Sequence, residues 1–296
     1  MILIEGKTKV LREGDKPGEV ILETKDELTG GDAAKRETIH GIAIHKTTQT
    51  RNVFALLESH GVPTSLIGPR DERSLLCHRC KMLPLELVVR RFAWGSMLKR
   101  EPALLERPQP HRFDALRLEI FHKHAVLMPP LTPEPQQTDE EDARSRYLRD
   151  GIWSEGVFTD PLIQVREGRW WLHPAKLPVD AGTPLMETSA LLDGAQLSAL
   201  ESGLMTRTFE ILERAWAGID TEYGPVALAD LKIEVGVRQS DGELVVADVI
   251  DNDSWRIWPG GDPARQLDKQ SFREDHPLHL VAENYERVAA LTGQFG

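Results

Sequence analysis

The 296-residue chain carries 36 Lys and Arg against 47 Asp and Glu, a formal net charge of −11, and 40% of its residues are hydrophobic. That content suffices for one large core or two moderate ones. The acidic balance argues against a nucleic-acid binder, which needs a basic surplus to neutralise phosphates, and no apolar stretch approaches the roughly 20 residues of a membrane span. Charges appear within the first nine residues, so no signal peptide is predicted and the cytoplasm is the expected location. Cys77 and Cys80 form a Cys-x-x-Cys pair without two further ligands at zinc spacing, and read as ordinary reduced thiols.

In chain order, Glu5-Gly6-Lys7-Thr8-Lys9 opens a first hairpin, with strands over Thr8–Arg12 and Glu19–Thr24 around a Gly14–Gly18 turn. It lacks the first glycine and the following helix of a phosphate-binding loop, but a glycine beside two lysines on a strand suits a lid over phosphates. Helical periodicity runs from Thr38 to His60 and stops at Gly61. Thr64–Ile67 and Leu83–Arg90 read as strands. Then Arg90, Gly95-Ser96 and helical Met97–Arg100 offer a guanidinium, a hydroxyl and helix-start amides to one anion. A solvent-facing arginine at a plain strand-to-helix turn is the competing reading.

Pro108–Asp142 is Pro-rich, then acidic, and is predicted to be a surface loop or insertion. Trp170-Trp171-Leu172 suggests a short hairpin arm with a core or interface role. An amphipathic helix is expected over Leu197–Trp216 and a final one over about Leu278–Leu291. Hairpins at both ends with strands and helices between predict an α+β or α/β fold in two lobes, with a nucleotide cleft between them. The lobes are drawn at 1–90, β-rich, and 91–296.

The most informative stretch is Asp230-Leu231-Lys232-Ile233-Glu234-Val235-Gly236 with Val246 through Arg256. Both halves alternate apolar and polar residues. With Ser240-Asp241-Gly242 as a three-residue loop, counting outward sets Glu234 opposite Asp248, with β-carbons about 5 Å apart. Like charges so placed destabilise a hairpin unless a cation lies between them. Hard oxygens for Mg²⁺ and an ammonium, Lys232, for a phosphate would then share one face; the alternative is a solvated face with an exposed ion pair. Downstream, Arg256, Lys269 and Arg273 add cations for anionic substrates. There is no Gly-x-Ser-x-Gly and no His-Glu-x-x-His, and phosphoryl or acyl-phosphate chemistry is favoured over hydrolysis.

Six motifs in order resemble those of phosphoribosylaminoimidazole-succinocarboxamide synthase (SAICAR synthetase), most closely the synthetase domain of the animal bifunctional enzyme. They are Glu5–Lys9, Thr29-Gly30-Gly31-Asp32, Pro84–Arg91 with Gly95-Ser96, Asp230–Gly236, Asp248–Trp258, and Asp268-Lys269 through Arg273. The resemblance implies a kinase-like or ATP-grasp-like nucleotide cleft and a ligase of purine biosynthesis. ATP, L-aspartate and carboxyaminoimidazole ribonucleotide (CAIR) would give SAICAR, ADP and phosphate through an acyl phosphate. Residue by residue it implies Lys7 and Lys9 on ATP phosphates, and Lys81, Met82, Leu83, Leu85 and Glu86 at an adenine hinge, with Lys123 near the nucleotide. It implies Glu234 and Asp248 on Mg²⁺, with Lys232 on phosphates. Arg90, Ser96 and Arg256 fall to CAIR, and Asp32, Lys269 and Arg273 to the substrate side. Family members are commonly oligomers, so self-association is an expectation.

Two departures qualify the match. After Lys123 the family continues with acidic residues and an Asp-Pro, whereas here His124-Ala125 follows and Asp160-Pro161 comes only later, which marks about 124–190 as an insertion. The family's Asn-Lys in the first long helix is replaced by Lys46-Thr47-Thr48, and no role is assigned there. A small-molecule kinase related to inositol polyphosphate kinases and a non-catalytic nucleotide-binding protein are the alternative classes.

Overall fold

A computed structural model describes residues 1–30, 35–178 and 184–295. The fold is α+β, and the chain groups into two compact units: residues 1–83 with 207–296, and residues 84–206. The sequence draws its boundary at residue 90 and keeps everything after it together. By packing, the last ninety residues group instead with the N-terminal part. Among the described residues no helix is long and apolar enough to cross a membrane.

The first unit begins with β1 (Ile2–Glu5), β2 (Lys9–Glu13) and β3 (Glu19–Thr24), then the β4 (Glu27–Gly30)–β5 (Lys35–Thr38) hairpin and helix α1 (Ile42–Ser59). After these come β6 (Leu66–Pro69), β7 (Ser74–His78) and β8 (Cys80–Met82). Strands β1-β2-β3-β7-β6 form an antiparallel sheet. Alternation of β3 buries Val20 and Leu22, which cluster with Leu75 and Cys77. The Cys77 thiol is therefore buried, and desolvation pushes its pKa up to about 12. That fits an inert thiol.

The second unit carries β9 (Leu85–Phe92), α2 (Met97–Arg100), β10 (Arg112–His122), β11 (His124–Leu127), β12 (Gln136–Asp139) and α3 (Glu140–Tyr147). It continues with β13 (Leu148–Arg149), β14 (Ile152–Trp153), β15 (Val157–Thr159), β16 (Leu162–Arg166), β17 (Arg169–His173), β18 (Met186–Thr188), α4 (Gly194–Ser198) and a π-helical stretch Ala199–Thr206. Within this unit the strand order is β18-β17-β16-β10-β9, and a smaller sheet runs β12-β11-β15. The loop expected over Pro108–Asp142 is therefore corrected: it holds three strands, one of eleven residues. The end of β10 buries Ile120, Phe121 and His122 consecutively, so its C-terminal half has no polar alternation to read. Trp170 is buried on β17, in the core role, while Arg169 stacks on Trp171 at 4.8 Å.

The chain returns to the first unit with α5 (Arg207–Ala217), β19 (Asp220–Thr221), β20 (Gly224–Arg238), β21 (Leu244–Ala247), β22 (Trp255–Pro259), α6 (Gln270–Arg273) and α7 (Leu278–Thr292). The fifteen-residue β20 pairs with β19, β21, β22 and β8. Leu28, Ile39 and Ile42 pack on Phe272, Val281 and Tyr285, so both ends of the chain share one apolar cluster. Trp216 is fully buried, with edge-to-face contacts to Trp255 at 5.3 Å and Phe295 at 4.9 Å. Trp216→Ala should cost about 3–5 kcal/mol of stability, the range for emptying a large aromatic site, measured as a shift of the urea midpoint.

Candidate active site

The acidic hairpin forms with a register one residue from the expected one. Glu234 lies opposite Ala247, Val235 opposite Val246 and Val237 opposite Leu244. The reason is the turn. Arg238 N–H donates to the Glu243 carbonyl and Gly242 N–H to the Arg238 carbonyl, which closes a four-residue loop instead of three. Gly242 takes the left-handed conformation, φ 78°. Asp248 therefore falls just past the end of β21, with a left-handed φ of 61° that redirects the chain.

Asp248 meets a lysine in this unit. The Lys9 ammonium donates to both carboxylate oxygens, at 2.5 and 2.6 Å, each side chain about a quarter exposed. Lys232 and Glu234 are half-buried on the same side of β20, two residues apart. Next on that side, the Asp230 carboxylate accepts from Arg256 Nη1 at 2.5 Å across the β20–β22 pair. Asp230, together with burial and Asp268, sets the Arg256 guanidinium, and the net effect raises its pKa. Lys7 is half-buried ahead of β2.

A second acidic group lies just beyond. Asp253 accepts from Lys269 Nζ at 2.7 Å and from the Tyr285 hydroxyl at 2.6 Å, and its backbone N–H donates to Asp251. Burial alone would raise the Asp253 carboxyl, but the Lys269 and Lys46 ammonium groups and the two hydrogen bonds hold it well below the ordinary range. Asp251, fully buried beside Asp253, is raised by desolvation and by that neighbour's charge. Lys46, 3% exposed on α1, faces both acids. Sequence reading left Lys46, Asp251, Asp253 and Tyr285 unassigned. The run of acids in Asp248–Asp253 was the visible signal, but the α1 and α7 partners lie far from it in sequence. Arg273 is exposed and reaches Gln270 Oε1 at 3.4 Å.

The expected hinge spans the boundary between the two units in the chain. Met82 and Lys81 are exposed on β8, paired with Gly236 and Val237, and Leu83 N–H donates to the Val235 carbonyl. A β-carbon on Gly236 would come within 2.8 Å of Cys80 Cβ and 3.0 Å of Met82 Sδ, so glycine permits this close approach. In the other unit, Leu85 is buried and Glu86 half-buried, with Lys123 Nζ 4.0 Å from Glu86 Oε1. Arg90 Nε donates to Glu119 at 2.6 Å, and Ser96 Oγ accepts from Arg100 at 3.1 Å. Asp160 N–H donates to the His124 carbonyl and His122 N–H to the Pro161 carbonyl. Residues 128–156 are therefore an excursion whose ends meet, returning Asp160-Pro161 to the strand that follows Lys123. Gly31 and Asp32 lie outside the described residues.

Among the described residues no cluster of three His, Cys, Asp or Glu is arranged to hold a metal. Glu234 and Asp248 carry hard carboxylate oxygens of the kind magnesium takes, one or two at a time, together with waters and substrate phosphates.

A sequence model of the SAICAR synthetase family matches residues 2–140 and 189–291. The chain is 34% identical to Multifunctional protein ADE2 of Gallus gallus, covering 96% of the chain but only 56% of that protein. It is 36% identical to the phosphoribosylaminoimidazole-succinocarboxamide synthase of Chloroflexus aggregans, covering 99% of the chain and 96% of the relative. Among solved structures, the phosphoribosylaminoimidazole-succinocarboxamide synthase of Ehrlichia chaffeensis superposes with a TM-score of 0.68 at 21% identity over the whole of both chains. A SAICAR synthetase in complex with ADP gives 0.65 at 24% identity, covering 98% of this chain and 96% of that one. At these identities the structures show a shared fold.

One group in the first unit gives the protein a pH dependence. Asp268 is 1% exposed, and burial, opposed by the Gln270 N–H and Arg256 and aided by Asp230, pushes its pKa to about 6 from 3.8. The folded state thus binds this proton more tightly. The stabilisation is complete below the unfolded pKa and is lost as pH rises through about 6, a change of about 3 kcal/mol at 1.36 kcal/mol per unit. Asp268→Asn should flatten that loss, and urea midpoints of both proteins at pH 4.5 and 8 check it.

Proposed function

Since the chain belongs to the SAICAR synthetase family, we propose that it joins L-aspartate to the carboxylate of CAIR at the expense of ATP, giving SAICAR, ADP and phosphate. The observation that carries this reading is the 36% identity to a synthase over 99% of this chain and 96% of that one. The motifs read from the sequence supply the groups the chemistry requires.

A carboxylate is a poor acyl donor, because its leaving group would be oxide. In the proposed reaction CAIR's carboxylate oxygen attacks the γ-phosphorus of ATP. The bond from γ-phosphorus to the bridging oxygen breaks and ADP leaves. The aspartate amine then attacks the acyl carbon, its proton is lost, and phosphate departs as the amide forms. Negative charge is handled at each stage, so cations decide the rate. Lys7 and Lys9 are assigned to the nucleotide phosphates and Lys232 to the transferred phosphoryl group. A magnesium ion held by Glu234 and Asp248 would supply charge neutralisation at the phosphate oxygens. The hinge assigned to adenine is Lys81, Met82, Leu83, Leu85 and Glu86, with Lys123 near the nucleotide. Arg90, Ser96 and Arg256 are assigned to CAIR's phosphate or carboxylate. Lys269, Arg273 and Asp32 fall to the substrate side; the Lys269–Asp253 ion pair also gives that lysine a structural duty.

The Lys9–Asp248 ion pair adds a constraint, since Lys9 and a divalent cation compete for one carboxylate. In the proposed cycle, nucleotide phosphates draw Lys9 away from Asp248, which would leave that carboxylate available to hold a metal. Lys9→Met should therefore bind Mn²⁺ about tenfold more tightly without nucleotide, one 1.4 kcal/mol step, while its turnover falls. Titration calorimetry or Mn²⁺ resonance reads the first effect independently of activity, and unchanged Mn²⁺ affinity counts against Asp248 as a ligand. Glu234→Gln and Asp248→Asn should each lower kcat by about 10²-fold or more without loss of fold.

The direct test is phosphate release from ATP with CAIR, with and without L-aspartate. Release that requires both, with SAICAR in step, supports the reading. Release from ATP and a hydroxyl substrate, indifferent to aspartate, would replace it with a kinase.

A further inference from the structure

The second unit buries three charged side chains at one place. Arg90, Arg100 and Glu119 are 4%, 3% and 8% exposed. Glu119 is shared: one oxygen accepts from Arg90 Nε at 2.6 Å, and the other from Arg100 Nε at 3.1 Å and from Arg100 Nη2. Burial accordingly pulls the Arg100 pKa down, against the opposing effect of Glu119.

The group is also fixed in place. Arg100 Nη1 donates to Ser96 Oγ at 3.1 Å and to the Ala175 carbonyl at 2.5 Å, and its guanidinium stacks over Phe121 at 5.0 Å. Arg90 Nη1 reaches the Trp94 carbonyl at 3.4 Å. Ala175 packs with Val88, Phe121 and Leu162, and lies in the segment 141–188 that the family model does not match. In that segment β16 pairs with β10 at Ile120 and Phe121, directly after Glu119. The inserted hairpin thus extends the sheet beside the shared carboxylate and supplies one of the acceptors that hold Arg100.

We infer that Arg100 and Glu119 are positioning residues which fix the Arg90 guanidinium and the Ser96 hydroxyl for an anionic group of the substrate, with the inserted segment bracing Arg100 through the Ala175 carbonyl. This rests on the assignment of Arg90 and Ser96 to CAIR. Lysine at position 100 keeps the charge but cannot serve Glu119, Ser96 and Ala175 together, because the fork of planar donors is lost.

The test compares rates of SAICAR formation against CAIR concentration for the unaltered protein, Arg90→Lys, Arg100→Lys and the double variant, with melting temperatures recorded for each. Arg100→Lys should raise KM for CAIR about tenfold while kcat and the KM values for ATP and aspartate stay within about threefold. It should add little to Arg90→Lys, since both act on one binding group. Additive effects, or a lowered melting temperature with KM for CAIR unchanged, overturn the inference and leave Arg100 as a core ion pair. If Arg90→Lys leaves KM for CAIR unchanged while SAICAR still forms, the substrate assignment of Arg90 fails and takes the inference with it. If no variant or parent forms SAICAR, the proposed reaction itself is what fails, a separate result. Should Arg100→Lys not fold, Ser96→Ala removes only the hydroxyl that Arg100 holds. The same selective rise in KM for CAIR is expected of it, and an unchanged value overturns the inference.

Discussion

Three aspartates within six residues, Asp248, Asp251 and Asp253, set the constraint around which the first unit is arranged. Left unpaired at this burial they would repel one another and take up protons. Their counter-charges come from three well-separated stretches: Lys9 from β2, Lys46 from α1 and Lys269 ahead of α6, with the Tyr285 hydroxyl from α7. Balancing these charges therefore requires the N-terminal sheet, the long helix and the C-terminal helices to converge on one loop. The shared apolar cluster of Leu28, Ile42, Phe272 and Tyr285 beside them supplies the hydrophobic part of that convergence. The cluster explains why the C-terminal ninety residues pack with the N-terminal ones across an intervening unit.

What could be read in the sequence follows from how local each determinant is. The acidic hairpin, the first hairpin, α1 and α7 were legible because alternation, a glycine stop and helical periodicity are properties of short windows. Their ends differ by a few residues, as at Ile42, where Gly41 at φ 85° begins the helix later than periodicity alone suggests. The register of the acidic hairpin was not legible, because it depends on whether the turn closes on three residues or four. The Arg238–Glu243 closure decides that, and a shift of one residue moves every cross-strand partner. It took Asp248 out of the strand, where its carboxylate accepts from Lys9.

The least legible region was 108–178. Pro-rich composition with acidic residues resembles a solvated loop, and the strands there take their partners from distant sequence: β10 from β9, β11 from β15 across an excursion of nearly thirty residues. The interruption of the Lys123 motif is real in the chain but smaller in space, because β15 delivers Asp160-Pro161 to the carbonyl of His124 and the amide of His122. Where acidic residues are expected after Lys123, His124-Ala125 follows, and His124 stacks on His122 at 4.1 Å. Burial holds His122 near pKa 4 and lowers His124, so the two imidazoles are uncharged at neutral pH.

The Lys–Asp pairs of the first unit and the Arg–Glu119 group of the second differ in kind, and the proposed chemistry would give a reason. In the first, the Lys9 and Lys269 ammonium groups are paired with Asp248 and Asp253, and under the proposed reading such charge would be exchanged when a nucleotide arrives. Single-point donors on flexible stems suit that exchange. In the second, guanidinium forks are held by a shared carboxylate, a hydroxyl and a backbone carbonyl. A bound anion would meet a rigid, already desolvated partner and would lose little further ordering free energy on binding. Phosphoryl transfer benefits from ligands that follow the developing charge, whereas holding a ribonucleotide in line for attack benefits from ones that do not.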